Sequence, residues 1–322
     1  MTSLSRRTLL GGLAAGAGLA AASPLSPARA QAPATALEPG AGAYRFNVGD
    51  IRVTVLGDGR LELGPVGDTV PGVDAETVAA LFSENGLEAG PLATAANVVL
   101  IETGDRRILL DAGSGSGFQP TAGRLPASLA AAGVAPETID TVVVTHVHPD
   151  HAWGLVDEAG APVFGAAEHV IGEADLAFWT DPATRAAFPA AFHFLVDGNV
   201  RVLSAIEGST TAAADGREVA PGVTLMATPG HTPGHMAVAL SSGDAKLLVI
   251  GDVATHPIVS LSRPDWGFVF DADPQTAAAT RKRVLDMAAS DAWPVLAYHF
   301  PFPGVGRIVA AGEGYRSVPV ML

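Results

Sequence analysis

The sequence contains no cysteine among its 322 residues, and this absence excludes several kinds of site at once. Disulfides, iron–sulfur clusters, thiolate nucleophiles and cysteine-ligated zinc sites all require that side chain. Any bound metal must therefore be held by histidine and carboxylate side chains.

Positive charge is also scarce: 19 Lys and Arg face 33 Asp and Glu, for a formal net charge of −14. Since nucleic-acid binding depends largely on basic side chains that neutralise phosphates, we expect no nucleic-acid partner. Apart from the N-terminal segment, no stretch approaches the roughly 18 apolar residues that a membrane span needs, so we expect no stable membrane insertion. The hydrophobic content of 48% is nevertheless ample for a core.

The first thirty residues have the order of a secretory signal. The pair Arg6-Arg7 precedes an Ala/Gly/Leu run to Ala22, and Ala28-Arg29-Ala30 forms a small-x-small cleavage site. The arginine pair makes the segment similar to a twin-arginine signal, so we expect export by that machinery and cleavage near Ala30. The alternative is an uncleaved anchor. Cleavage would leave a periplasmic or secreted protein and, by removing three arginines and no acid, would take the net charge to −17.

The remainder predicts one α/β domain over residues 44–322, preceded by a flexible lead-in over residues 31–43. Short β-type runs come first in hairpin-like order and then alternate with helices. The expected strands are 52–56, 60–63, 97–102, 107–110, 141–144, 169–171, 223–227, 236–240 and 246–250. The expected helices are 74–82, 124–132, 173–179 and 274–289.

The strongest chemical signal is a run of three histidines and an aspartate directly after the β-branched strand at 141–144. These residues are His146, His148, Asp150 and His151. A single loop at a strand end can aim all four at one point, which is typical of a metal site.

Three further candidate ligands, His231, Asp252 and His299, each follow an apolar run and are expected at strand ends. Five imidazoles and two carboxylates suit Zn²⁺ above all, with Mn²⁺, Fe²⁺ or Co²⁺ as alternatives. Two adjacent cations can share a water and bring its pKa toward neutrality, while one of them polarises a carbonyl or phosphoryl oxygen. We expect Asp150 or Asp252 to relay the proton to the leaving group.

On these motifs the chain resembles the metallo-β-lactamase-fold hydrolase superfamily, and within it the methyl parathion hydrolase-like enzymes. Supporting segments are Leu56-Gly57-Asp58-Gly59, Leu109-Leu110-Asp111-Ala112-Gly113, 299–304 and 314–320. The resemblance implies a four-layer αβ/βα sandwich with a dinuclear metal site at one edge of the two sheets. It also implies that His146, His148 and His231 hold one ion, that Asp150, His151 and His299 hold the other, and that Asp252 bridges them.

Several positions are expected behind the ligands. Asp111 either orients a ligand imidazole through its second ring nitrogen or is a turn acid at a strand end. Asp58 is a similar case, in which a structural role is favoured. His235 repeats the Thr-Pro-Gly-His motif of His231, and the resemblance assigns the metal to His231.

The substrate pocket is expected to be aromatic. Phe118 and Trp179 match pocket positions of the methyl parathion hydrolase-like enzymes, and Phe192 is a candidate for a third. Trp266, Phe268 and Phe270 are expected at a rim. Such a pocket favours a neutral ester over a charged metabolite.

The sequence therefore predicts an exported dinuclear hydrolase of neutral esters, either organophosphate triesters or aryl esters. A lactonase acting on acyl-homoserine lactones is the alternative, although the Tyr that such relatives carry shortly after the bridging Asp is replaced by Val253-Ala254-Thr255-His256. Alternatives of another class are an iron-dependent oxidoreductase and a metal-binding protein without catalysis. A homodimer is compatible with the sequence.

Overall fold

The computed structural model describes residues 41–320, so the expected signal segment and most of the expected lead-in lie outside the described residues. The first strand begins at Ala41, ahead of the expected domain start at Tyr44. Among residues 41–320, no helix combines the length and apolar character needed to cross a bilayer.

The described chain forms fourteen strands and nine α-helices. The strands are β1 (Ala41–Val48), β2 (Ile51–Pro65), β3 (Pro91–Thr103), β4 (Arg106–Leu110), β5 (Thr141–Val144), β6 (Glu168–Gly172), β7 (Thr210–Ala213), β8 (Glu218–Ala220), β9 (Val223–Ala227), β10 (Met236–Ser242), β11 (Ala245–Val249), β12 (Pro294–Leu296), β13 (Val305–Ala311) and β14 (Gly314–Pro319). The helices are α1 (Val66–Thr69), α2 (Ala75–Glu84), α3 (Leu125–Ala132), α4 (Pro149–Ala152), α5 (Glu173–Thr180), α6 (Pro182–Ala187), α7 (His193–Ile206), α8 (Val259–Ser262) and α9 (Pro274–Ser290).

These strands form two seven-stranded sheets within the described range. The first runs β1-β2-β3-β4-β5-β6-β7 and the second β14-β13-β12-β11-β10-β9-β8. Hairpins are antiparallel, whereas β4–β5, β5–β6, β6–β7 and β11–β12 are parallel. Because parallel neighbours end at the same edge, the loops after β4 and β5, and those after β11 and β12, lie side by side.

Three apolar clusters make the four layers of a sandwich. Val53, Val99 and Val143 of the first sheet pack with Val238 and Leu247 of the second. The outer face of the first sheet is covered by α3, α5 and α7, and that of the second by α9. The expected αβ/βα sandwich is therefore confirmed.

Two differences from the expected elements have physical causes. The expected strands 52–56 and 60–63 are one strand, β2, because Gly57-Asp58-Gly59 forms a bulge in the pairing with β3 rather than a turn. Gly59 has φ +116° and abuts the carbonyl of Thr121, where a side chain would clash.

Helix α7 was not expected, because Gly198 and several β-branched residues weaken its helical pattern. In the structure Gly198 lies against the ring of Trp153, where a Cβ would be 2.3 Å from a ring carbon. Glycine at this position therefore lets the helix pack against Trp153, and the helix is stabilised by its buried face.

Candidate metal centre

One loop carries four of the predicted ligands. Strand β5 ends at Val144, His146 and His148 follow it, and α4 begins at Pro149 after the extended residue His148. Proline fits the first turn of a helix because its missing N–H needs no partner there. The short helix places Asp150 and His151 on the same side of the loop as the two preceding histidines, as the distances among the ligand atoms show.

The other three predicted ligands come from the second sheet. His231 lies between β9 and β10, Asp252 lies in a turn directly after β11, and His299 follows β12. The Asp252 turn depends on Gly251, which has φ +49° and lies so close to His235 that a Cβ would be 2.7 Å from its Nε2. Both sheets thus deliver ligands to one edge of the sandwich.

The structure brings all seven predicted ligands together in three overlapping groups. Within each group, one ligand atom per residue lies within 4.8 Å of the others. The groups are His146, His148 and His231; His146, His151 and Asp252; and Asp150, His151 and His299.

Contacts between ligand atoms link the groups. His231 Nε2 lies 3.0 Å from His148 Nδ1. Asp252 lies in the middle, with Oδ1 3.2 Å from His151 Nε2 and Oδ2 3.1 Å from His299 Nε2. Its Oδ2 is also 3.3 Å from His231 Nε2. This central position suits a carboxylate shared by two cations.

Unpartnered atoms show that the site fits a metal. Among the described residues, His146 Nε2, His151 Nε2 and Asp252 Oδ1 are buried without a hydrogen-bond partner. Unpartnered buried polar atoms are costly and uncommon in proteins. Here all three belong to one ligand group, so a divalent cation would satisfy them together.

The same proximity perturbs the protonation of the ligands. Burial and the neighbouring imidazoles hold the pKa of His146 well below its usual value, so its ring is neutral and able to ligate. Burial also opposes protonation of His151, but the charges of Asp150, Asp252 and Asp111 outweigh it and raise the pKa of that ring well above its usual value. The carboxylates thus concentrate enough negative charge to attract a cation.

Asp111 orients His151. Its Oδ2 lies 2.8 Å from His151 Nδ1, and its Oδ1 accepts a 2.7 Å hydrogen bond from the Thr145 backbone N–H. An ionised carboxylate at Nδ1 keeps the proton there and leaves Nε2 free to ligate. Asp111 has φ +66°, in the left-handed region that costs a non-glycine residue energy, so the backbone is strained where this contact is made.

His235 and Asp58 lie behind the ligands. His235 Nε2 accepts a 3.0 Å hydrogen bond from the Asp252 backbone N–H, so its proton is on Nδ1, which donates to Thr228 Oγ1 at 2.7 Å. Asp58 accepts backbone N–H groups of Ser114 and Leu125, each at 2.8 Å. Burial raises the pKa of Asp58 to about 6. Both residues hold loops rather than joining a ligand group.

Asp271 was not predicted, although it does for His231 what Asp111 does for His151. Its Oδ1 lies 2.9 Å from His231 Nδ1, and its Oδ2 accepts the Phe268 backbone N–H at 2.9 Å. The buried guanidinium of Arg281 lies 3.4 Å from Asp271 and donates to the carbonyl of Val253 at 2.8 Å. No local sequence pattern identifies Asp271, because it meets its partners only through the fold.

Asp175 and Asn199 are two further buried residues that were not predicted. Asp175 Oδ2 accepts the backbone N–H of Val147 at 2.7 Å, and Oδ1 accepts that of Gly234 at 3.1 Å. Asn199 Nδ2 donates to the carbonyl of Val147 at 2.7 Å. Since Val147 lies between His146 and His148, and Gly234 follows His231, Asp175 ties together the two loops that supply the first ligand group.

An apolar pocket opens over the ligands. It has a volume of about 90 Å³, and its polar lining includes Asp150, Asp252 and Thr255. Its apolar lining is Leu61, Leu63, Phe118, Pro149, Leu195, Phe268 and Phe270.

Of the three aromatic residues expected in the substrate pocket, one lines it and two lie outside its lining. Phe118 lines the pocket. Trp179 lies deeper, 3% exposed, with its ring centre 6.1 Å from that of His148, and it is absent from the lining. Phe192 is 46% exposed and also lies outside the lining, because α7 begins at His193 and directs Leu195 into the pocket instead.

Comparison with known proteins agrees with this geometry. Residues 92–299, more than half of the chain, match the sequence profile of the family described as the metallo-beta-lactamase superfamily. The chain is similar to the solved structure of AidC, described as a dizinc quorum-quenching lactonase in complex with a product, at 25% identity and a TM-score of 0.84. That match covers 88% of this chain and 99% of the other.

Two further solved structures share the fold. A hydrolase named AbOPH, described as belonging to the beta lactamase superfamily, is 28% identical with a TM-score of 0.81, over 88% of this chain and 98% of the other. A probable metal-dependent hydrolase from Staphylococcus aureus is 22% identical with a TM-score of 0.68, over 86% of this chain and all of the other.

Proposed function

Because the chain belongs to the metallo-beta-lactamase superfamily, we propose that it is an exported dinuclear metallohydrolase that cleaves neutral ester-type substrates. The observation that carries this proposal is the junction of a seven-ligand centre with an apolar pocket. His146, His148 and His231 would hold one ion, Asp150, His151 and His299 the other, and Asp252 would bridge them. We propose Zn²⁺ as the metal, since imidazole and carboxylate ligands suit it.

The two ions would supply Lewis acidity to the attacking water and to the carbonyl or phosphoryl oxygen of the substrate. The protein supplies the rest. Asp111 and Asp271 fix the rings of His151 and His231 through their Nδ1 atoms.

Asp150 and Asp252 also line the pocket, so their carboxylates face the substrate. Although burial disfavours ionisation, the neighbouring imidazoles of His151 and His299 lower the pKa of both carboxyl groups. An ionised carboxylate can accept the proton of the attacking water and pass it to the leaving oxygen.

The pocket lining favours neutral substrates. Among the described residues that form it, no Lys or Arg is present, and seven side chains are aliphatic or aromatic. A charged substrate would lose hydration there without gaining a partner beyond the metal centre. Aryl esters and phosphotriesters are the proposed substrates, because a phenolate leaving group departs without a dedicated acid.

A lactone is the second candidate, favoured by the similarity to AidC. Tyr298 cannot assist the substrate, because its hydroxyl donates to the carbonyl of Asp150 at 2.6 Å and its ring stacks on His151 at 3.9 Å. Thr255, which lies in the segment that lacks a tyrosine, lines the pocket, but its hydroxyl lies 3.3 Å from Ser260 Oγ. A lactonase here would therefore orient its carbonyl without a phenol.

The test is a substrate panel on the Zn²⁺-loaded mature chain. Nitrophenyl esters, phosphotriesters and acyl-homoserine lactones would be compared by kcat/KM, with the chelated protein and Asp252→Ala as controls. Metal-dependent turnover of esters or phosphotriesters above lactones supports the first proposal, and the reverse order selects the lactonase. Full metal occupancy without turnover of any member would refute hydrolysis and point to a non-catalytic or iron-dependent role.

Export rests on the N-terminal sequence alone and is a separate proposal. Replacing Arg6 and Arg7 together by lysine should stop export, because the twin-arginine machinery reads that pair. Cell fractionation would show the mature protein in the periplasm or medium for the natural sequence and the precursor in the cytoplasm for the variant. Equal export of both would contradict this route.

A further inference from the structure

A second cavity adjoins the substrate pocket at His299. It has a volume of about 480 Å³ and is formed by the start of β3, the loop before it, the bulge of β2 and the segment at His256–Pro257. His299 belongs to the linings of both cavities. We call this second cavity the rear cleft; nothing in the proposed hydrolysis uses it.

One ring nitrogen of a residue that lines the rear cleft has no hydrogen-bond partner among the described residues. His256 is 8% exposed, and its Nδ1 accepts the backbone N–H groups of Ile258 and Val259 at 3.2 and 3.3 Å. Because Nδ1 is an acceptor, the ring proton is on Nε2. Among the described residues Nε2 makes no hydrogen bond, whereas Nδ1 makes two. Since His256 lines the cleft, the Nε2–H is available to a ligand there.

The rest of the cleft is mostly apolar. The ring of Phe82 packs against that of His256 at 5.4 Å and forms part of the wall. Leu87, Leu92, Pro257 and Pro301 extend this wall, and Leu87 is 52% exposed. An exposed leucine beside a concave apolar surface favours a ligand with a hydrocarbon or aryl body.

Charge selects a neutral ligand over an anion. Arg60 and Glu88 both line the cleft and are both exposed, and Arg60 lies 3.8 Å from Glu62, so the one basic side chain in this lining already has an acidic neighbour. The donor at His256 is a neutral N–H, so a carboxylate placed against it would lose hydration without gaining an opposite charge, at a higher cost than a carbonyl. The formal net charge of −14 also disfavours an anion.

We infer that the rear cleft is a second binding site, for a neutral amphiphile with one carbonyl oxygen. The carbonyl accepts from His256 Nε2–H, and the apolar body lies on Phe82, Leu87 and Leu92. Esters, lactones and amides belong to this class. The site does not depend on the proposed hydrolysis, although a ligand in it would lie beside His299.

The experiment is a calorimetric titration of the zinc-loaded protein with N,N-dimethyloctanamide, a neutral probe that resists hydrolysis. Leu87→Asp puts a charge on the apolar wall at an exposed position, so the fold should be unaffected, and binding should weaken by about tenfold or more. Phe270→Asp is the matched control, because Phe270 is 41% exposed and lines the substrate pocket instead. It should leave this binding unchanged.

A second variant tests the donor. In His256→Asn the amide oxygen can still accept from Ile258 and Val259, but the Nε2–H is lost, so binding should weaken by about fivefold. His256→Gln, which can place an N–H near the position of Nε2, should recover part of the affinity. Octanoate, with the same chain and a carboxylate, should bind this cleft at least about tenfold more weakly than the amide.

Three results would overturn the inference. The first is that the natural protein does not bind the amide. The second is that Phe270→Asp abolishes amide binding while Leu87→Asp does not. The third is that octanoate binds as tightly as the amide and that Leu87→Asp weakens both equally. Because the probe is not turned over, none of these results depends on whether the enzyme hydrolyses esters.

Discussion

Replacing Asp111 by asparagine should remove one metal ion and leave the other. The substitution keeps the shape of the side chain, and its carbonyl oxygen can still accept the Thr145 N–H that now bonds Oδ1 at 2.7 Å. The amide nitrogen would then face His151 Nδ1 at the position where Oδ2 lies 2.8 Å away. Since that nitrogen can only donate, His151 would carry its proton on Nε2, the atom that must bind the metal.

The size of the effect follows from the number of ligands lost. His151 belongs to the group of Asp150 and His299, whereas the group of His146, His148 and His231 does not include it. Loss of an outer hydrogen-bond partner lowers metal affinity by roughly 10- to 100-fold. The Asp150 group should weaken by this factor, and the His231 group should change by less than about threefold.

Asp271→Asn is the corresponding substitution at the other ligand group, because the Asp271 carboxylate contacts His231 Nδ1. It should lower the metal affinity of the group that contains His231, so the two variants should lose different ions. Asp271 also contacts buried Arg281, and disrupting a buried ion pair costs about 3–5 kcal/mol, so this variant should also melt at lower temperature. Asp197→Asn, at an exposed pair with Arg185, is the control for a surface charge change.

The assay is metal content per chain after dialysis against graded chelator, with two zinc-binding steps resolved by competition with a coloured chelator. Asp111→Asn should retain one tight ion and lose the other first. Two unchanged binding steps would refute the tautomer argument, and equal weakening of both steps would refute the assignment of His151 to one group.

Three further predictions concern the same centre. Asp252→Ala should lose tight binding of both ions, because the Asp252 carboxylate contacts His151, His231 and His299. His235→Ala should keep both ions with lower affinity. If metal analysis of the two variants showed the reverse, the ligand role would have been assigned to the wrong histidine of the repeated motif. Asp175→Ala leaves the backbone N–H groups of Val147 and Gly234 unpaired. The metal affinity of the group formed by His146, His148 and His231 should therefore fall by about tenfold. An unchanged affinity in chelator competition would exclude this positioning role. Removing both ions should lower the melting temperature, since an ion present at 100 times its Kd stabilises the fold by about 2.7 kcal/mol per site. If scanning calorimetry showed the same melting temperature with and without chelator, this result would contradict a metal centre at the unpartnered atoms of His146, His151 and Asp252.

The ligands could be predicted from sequence because each follows a strand that has its own local pattern. The β-branched run at 141–144 precedes His146, and apolar runs precede Asp252 and His299. The residues that orient the ligands could not all be found in this way. Asp111 directly follows a recognisable strand, whereas Asp175 and Asp271 lie in segments whose local sequence carries no sign of their partners.

The substrate pocket was harder to predict than the metal centre. Its shape depends on α7, whose glycine at Gly198 accommodates the ring of Trp153 and hides the helical pattern. Without that helix, the sequence gives no means of choosing Leu195 over Phe192 as the pocket residue. Leu61 and Leu63 were also missed, because a period-2 pattern does not show which face of β2 meets the ligands.

The most direct test of the central proposal is a zinc titration of the chelated mature chain in which bound metal and hydrolysis of a nitrophenyl ester are measured together. We predict two zinc ions per chain and ester hydrolysis that depends on the bound metal and is lost in Asp252→Ala. Two bound ions without hydrolysis of any neutral ester, phosphotriester or lactone would contradict the proposed function, and failure to bind zinc or any related divalent ion would contradict the metal centre itself.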